Sequence, residues 1–141
     1  MSDDLEQIIE RYHYAADEFS RGDPEPVKAL LSERDDVTLA NPFGPAVRGR
    51  QPVCDALDYA SSRFRDGEVK RFELLATYAT NDLATILENE QWRAKVGESD
   101  EMASFVLRVS STLRREADGW RLVHRHADPI TTPDPAGPLR G

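Results

Sequence analysis

The run Glu116-Ala117-Asp118-Gly119-Trp120-Arg121-Leu122-Val123-His124-Arg125-His126-Ala127-Asp128 decides the architecture. Asp-Gly between two stretches of alternating character is a strong hairpin signal, because both turn residues tolerate positive φ. The period of two extends back from this hairpin to Val69 and predicts strands over 69–80, 83–96, 102–116 and 120–128. They turn at Asn81-Asp82, around Gly97-Glu98-Ser99-Asp100, and at Asp118-Gly119. Long strands joined by hairpins make an antiparallel meander, whose twist curls it around whatever packs on one face.

Before Val69 the period is helical. Leu5, Ile8, Ile9, Tyr12, Ala16 and Phe19 form one stripe of a helix over 3–21, which Gly22 ends. Asp23-Pro24 starts a short second helix that turns Val27, Leu30 and Leu31 inward. Val37–Ala40 reads as a short strand and Asn41-Pro42-Phe43-Gly44-Pro45 as a loop. A third helix over 52–66 carries Val53, Ala56, Leu57, Ala60 and Phe64, and Asp66-Gly67 closes it. The expected fold is α+β, a strongly curved antiparallel sheet wrapped around N-terminal helices. One domain over 1–130 is expected to precede a flexible Pro/Gly-rich tail over 131–141.

Bulk properties narrow the partners. A chain of 141 residues suits a single domain. Cys54 is the lone cysteine, which rules out an internal disulfide and fits a cytoplasmic, reducing setting. The acidic first residues do not resemble a signal peptide, and no apolar run approaches the ~20 residues of a membrane span. A net charge of −8 opposes binding to phosphate backbones. Neither nucleic acid nor membrane is expected as a partner, and the arginine clusters at Arg48/Arg50, Arg63/Arg65 and Arg114/Arg115 read as solvated charge.

On the last strand, strict alternation separates Trp120, Leu122, His124, His126 and Asp128 from Arg121, Val123, Arg125 and Ala127. His-x-His points two imidazoles the same way, as a metal site requires, but no third ligand stands at a fixed spacing, so no metal is expected. No cofactor-binding motif is present. Glu88, Glu90 and Trp92 share a face, and alternation alone leaves open whether it is the inner one. An inward Glu90 beside Trp92 would be desolvated, with a raised pKa suited to acid–base work; an outward one is a surface carboxylate. Leu107, Val109, Ser111 and Leu113 are expected to pack on the helices, with Arg108, Ser110, Thr112 and Arg114 opposite. Tyr12 on the apolar stripe is either a core aromatic or a catalytic hydroxyl.

This order of elements resembles the cone-shaped fold shared by nuclear transport factor 2, the ketosteroid isomerases, the SnoaL-like polyketide cyclases and the calmodulin-dependent kinase association domain. Arg11-Tyr12 matches Arg-Tyr on the first isomerase helix, and Leu39-Ala40-Asn41-Pro42-Phe43-Gly44 matches their segment ending Asp-Pro-Phe/Val-Gly. Trp120 to His126 is similar to the association domain's Trp-x-x-Val-His-x-His. The resemblance covers about residues 3–130. It implies that Trp120, Leu122, His124, His126 and Asp128 face a pocket, with His126 beside Asp128 at the mouth and His124 deeper. It also implies a hydroxyl donor at Tyr12, with Ser111 near the second isomerase acid. Asn41 stands where the carboxylate base belongs, and an amide cannot take a proton near neutral pH.

The expected function is binding of a small, largely apolar molecule in an enclosed pocket, with cofactor-free isomerase, cyclase or dehydratase chemistry. His126 or Asp128 would act as acid or base and Tyr12 and Asn41 as donors to an oxyanion. His124, Trp92, Glu90, Ser111, Phe43 and Trp120 would surround the ligand. The alternative is a noncatalytic ligand-binding or association domain. The uncovered convex face, with Leu83, Leu87 and the Arg108–Arg114 side, is expected to make a homodimer.

Overall fold

Three helices and six strands follow in the order α1 (Asp3–Ser20), α2 (Glu25–Leu30), β1 (Thr38–Asn41), β2 (Gly44–Arg48), α3 (Arg50–Ser62), β3 (Phe64–Ala79), β4 (Leu83–Val96), β5 (Met102–Glu116) and β6 (Gly119–Asp128). The structure is a computed structural model that describes residues 3–129 and Thr132, so the expected tail falls almost wholly outside the described residues. No helix is long and apolar enough to cross a membrane among the described residues. The strands form one sheet in the order β2-β1-β6-β5-β4-β3. The meander β3 to β6 is antiparallel throughout, as expected, while β1 joins β6 in parallel and makes the sheet mixed.

The first helix ends as its glycine requires. Gly22 has φ 93°, and the amides of Gly22 and Asp23 return to the carbonyls of Phe19 and Glu18 at 2.9 and 3.2 Å. This paired pattern satisfies the last orphan carbonyls of the helix. The buried face of α1, from Leu5 through Tyr12 to Phe19, lies on the concave side of the sheet and supplies much of the core.

Two expected boundaries move. The segment after Asn41 is not a loop: Pro42 and Phe43 make a tight turn, and Gly44–Arg48 pairs back on β1. Helix α3 stops at Ser62, and Asp66-Gly67 lies inside β3 at a break in register between Arg65 and Glu68. Asp66 has φ 56°. A left-handed residue followed by glycine ends helices and also makes bulges, and here it makes a bulge. β3 has two more register shifts, and each adds bend to the strand that wraps α1.

At that bulge Gly67 touches α1. A Cβ there would lie 2.8 Å from the Ala94 Cβ and closer still to the Ser20 carbonyl. The helix is tied on either side by Arg21 Nη1 donating to the Gly67 carbonyl at 3.1 Å and the Val69 amide donating to Asp17 Oδ1 at 2.8 Å. Gly67→Ala is therefore expected to cost about 1–3 kcal/mol by overpacking. Gly44→Ala, where a Cβ meets nothing within 4 Å, serves as the control. Urea midpoints that are equal for the two variants would refute the close contact.

Candidate functional site

Alternation along β6 is broken once. Leu113 of β5 pairs with Leu122, but Thr112 pairs with His124, so Val123 is an extra residue in β6. From that bulge on, the faces exchange. Trp120 and Leu122 are buried in the core and do not line the cavity, and beyond them Arg125 and Ala127 face the concave side. His124, His126 and Asp128 turn to the convex face, which corrects the expectation that they line a pocket. Three residues of the expected site are thus absent from the concave wall because of a single inserted residue.

Each makes a different contact there. His124 Nδ1 is 2.7 Å from Thr38 Oγ1 on β1, and its pKa lies below the ordinary 6.5, lowered by burial and by His126. Asp128 is held by Arg108 through two bonds of 2.7 and 2.8 Å. His126 Nε2 lies 3.6 Å from Asp128 Oδ2, beyond hydrogen-bonding distance, and its side chain is half exposed. Trp120 is buried beneath Arg115, whose guanidinium lies 4.8 Å from its ring centroid, and it does not line the cavity.

The concave side encloses a cavity of about 250 Å3. Its walls are apolar and aromatic: Phe19 from α1, Phe64 from β3, Trp92 from β4 and Phe105 from β5, with Leu57 of α3 and Ala127. Phe64 sits 5.0 Å from Trp92 and 6.0 Å from Phe105 between ring centroids. Asn41, Pro42, Phe43 and Pro129 complete the lining, and the last three are exposed and form the rim. Asn41 Oδ1 accepts the Phe43 amide at 3.0 Å, so this side chain shapes the turn.

The polar groups converge at one wall. Every second residue of β4 from Ala84 to Ala94 is buried, which answers the open question of face: Glu88, Glu90 and Trp92 point inward. Arg125 donates from Nη1 to Glu90 Oε2 and from Nη2 to Glu90 Oε1, both at 3.0 Å, and from Nη1 to the Tyr12 hydroxyl at 2.7 Å. Trp92 Nε1 adds a third bond to Glu90 Oε1 at 3.0 Å. Tyr12 also bonds to Ser111 Oγ. Tyr12, Glu90 and Ser111 are fully buried, while the Arg125 side chain keeps 13% exposure.

Burial would push the Glu90 carboxyl up, but the charge and hydrogen bonds of Arg125 and the Trp92 indole outweigh it and hold the group below the ordinary 4.5. This corrects the raised pKa expected for an inward Glu90, because the sequence reading placed Arg125 on the opposite face. Burial likewise opposes the Arg125 charge, yet Glu90 and Tyr12 raise its pKa further above an already high ordinary value. Tyr12 is raised above 10.0, chiefly by burial, so its hydroxyl keeps its proton. The wall therefore presents a neutral phenol and a charge-compensated guanidinium.

Tyr12, Asn41, Trp92 and Phe43 line the cavity, and Glu90 and Ser111 stand behind them. Arg125 was missed. The adjacent apolar pair Leu122-Val123, followed by Ala127, marks the change of phase that brings Arg125 inward.

A family model described as a SnoaL-like domain matches residues 5–131. Among solved structures, a candidate dehydratase of the NTF2-like family from Streptomyces avermitilis is 23% identical with a TM-score of 0.72, covering 92% of this chain and 97% of its own. A ketosteroid isomerase-like protein from Erwinia carotovora atroseptica is 18% identical, with a TM-score of 0.74 and coverage of 94% and 100%. A candidate calcium/calmodulin-dependent protein kinase type II association domain from Thiobacillus denitrificans is 24% identical, with a TM-score of 0.60 and coverage of 76% and 82%. At these identities the likeness is one of fold. No curated protein sequence matches.

Removing one partner of a buried pair strands the other charge. Arg125→Met is expected to cost about 3–5 kcal/mol, whereas Glu90→Leu/Arg125→Met, which removes both charges, recovers most of it. Urea unfolding of the two variants tests this, and a single-variant cost below about 1 kcal/mol would mean that Glu90 is solvated.

Proposed function

We propose that this chain, which belongs to the SnoaL-like domain family, binds a small, largely apolar molecule in the cavity beneath α1. The observation that carries this reading is an aromatic-walled space of about 250 Å3 with polar donors at one wall only. Ligand sites are mostly apolar with a few placed polar groups, and this volume lies just under their usual ~300–1,000 Å3. It suits a ligand of one or two fused rings. The Tyr12 hydroxyl and the Arg125 N–H groups would orient a single acceptor oxygen, and Asn41 and Phe43 would frame the entrance.

Isomerase, cyclase or dehydratase turnover of the bound molecule is the second reading, supported by the protonated Tyr12 hydroxyl at the wall. The obstacle is the base: both Glu90 oxygens are taken by Arg125, and Asn41 is an amide. A noncatalytic association role is supported instead by the uncovered convex face, where Tyr78, Leu83 and Leu87 are exposed.

Binding of methyl naphthyl ketone, followed by tryptophan fluorescence, tests the first reading. Tyr12→Phe is expected to weaken it about three- to tenfold, the value of one hydrogen bond, and Ala127→Phe, which fills the cavity, to abolish it. Equal affinity in all three proteins would place the ketone elsewhere. In the same preparation a 3-oxo-5-ene steroid is expected to undergo no isomerisation. Turnover at the order of 10 per second would reveal a base other than these residues.

Through the convex face we propose a homodimer. Light scattering at micromolar concentration is expected to give twice the chain mass, and Leu87→Glu the single mass. A monomeric wild type would remove the association reading.

A further inference from the structure

Arg125 lines the cavity, yet its charge is spoken for: Glu90 grips it through two 3.0 Å bonds from a fully buried position. We propose that Glu90 sets the charge preference of the cavity, by compensating Arg125 so that the site takes a neutral carbonyl compound and rejects the matching carboxylate. This rests on the ligand-binding reading above and names the class of ligand.

A buried arginine beside an apolar chamber would by itself make a carboxylate site, because its planar fork matches two carboxylate oxygens. Here the end-on fork is taken by Glu90. Three of the five guanidinium N–H groups are bonded, two to Glu90 and one to Tyr12, which leaves Nε–H and one Nη2–H without a partner among the described residues. These two could meet a single carbonyl oxygen or both oxygens of a carboxylate, so it is charge and not donor geometry that decides between them. An incoming carboxylate would have to share one guanidinium with Glu90 in a space lined mostly by aromatic and aliphatic groups, with like charges close together. Glu90 cannot turn away to make room, because Trp92 Nε1 fixes it from a third side. Of the other ionisable groups near this wall, Tyr12 is protonated, and His13, 2.8 Å from the buried Glu88, acts on Glu90 in the same direction as Arg125 but less than it does. The ionisable groups of the convex face, Arg108, Asp128, His124 and His126, lie on the other side of the sheet.

Methyl naphthyl ketone and naphthoate are near-isosteres that differ in charge. At neutral pH the wild type is expected to bind the ketone at least tenfold more tightly. In Glu90→Gln the uncompensated Arg125 is expected to raise naphthoate affinity at least tenfold with ketone affinity changed less than threefold. Arg125→Met added to Glu90→Gln should abolish that gain. If Glu90→Gln does not fold alone, millimolar naphthoate, and not the ketone, should restore a cooperative melt by stabilising the native state. A wild type indifferent to charge overturns the proposal. So does a folded Glu90→Gln with an unchanged ratio, or an unfolded one that naphthoate does not rescue. A wild type that binds neither the naphthoate nor the ketone overturns the ligand-binding reading, and this inference with it. Ketone binding with an unchanged ratio overturns this inference alone.

Discussion

A guanidinium cannot sit in an apolar interior without compensation, and that constraint organises this molecule. Arg125 of β6, Glu90 of β4 and Tyr12 of α1 come from three elements far apart in sequence and meet at one wall. The sheet must curve enough to bring β4 and β6 around the helix, and α1 must lie at the depth where its hydroxyl reaches Arg125. Such a pair is weak as a source of net stability, since desolvating both ions costs about what their attraction returns. What it supplies is position: any packing that separates the partners leaves an ion stranded. The bulged strand β3 and the glycine contact at Gly67 then fit the sheet to a helix whose height is already set.

How much of this was legible in the sequence depends on which signals are local. The meander was legible because hairpin chemistry at Asp118-Gly119 and a sustained period of two are local. The end of α1 was legible because Gly22 meets a local need for positive φ. The site was harder to read, because side-chain direction after a bulge depends on an insertion that alternation does not record. Val123 reverses every residue beyond it, which sent the reading of His124, His126 and Asp128 to the wrong face and hid Arg125. Asp66-Gly67 misled in the same way, because glycine after a left-handed residue serves helix ends and bulges alike. Where strict alternation ran without a break, along β4, only the choice of face was missing, and the burial of Glu88 and Glu90 supplied it.

The same reversal divides labour between the two faces of the sheet. The concave side after Val123 holds one compensated charge and many rings. The convex side holds the imidazoles, the Arg108–Asp128 pair, and the exposed Tyr78, Leu83 and Leu87. The histidines of β6 thus serve a surface and not the cavity. Glu88 shows the converse. It is fully buried, one oxygen bonds His13, which stacks on Phe72 at 3.8 Å, and the other has no partner among the described residues. β4 therefore carries two buried acids, and of the two Glu90 is bonded to the cavity-lining Arg125.

The compensation of Arg125 also bears on catalysis. Electrostatic catalysis needs donors aimed at charge that grows in the transition state, stabilising it more than the ground state. A free guanidinium would supply that difference. One already neutralised by Glu90 presents the cavity with a dipole, whose effect on a growing oxyanion is smaller because the nearby carboxylate repels the same charge. Tyr12 still donates, and a protonated phenol against a carbonyl oxygen favours both binding and modest polarisation. The buried acid behind the wall is committed on both oxygens and held ionised by its own arginine. On the proposed binding reading, such a wall holds a polar oxygen in place, while Glu90, the buried acid beside it, is committed to Arg125.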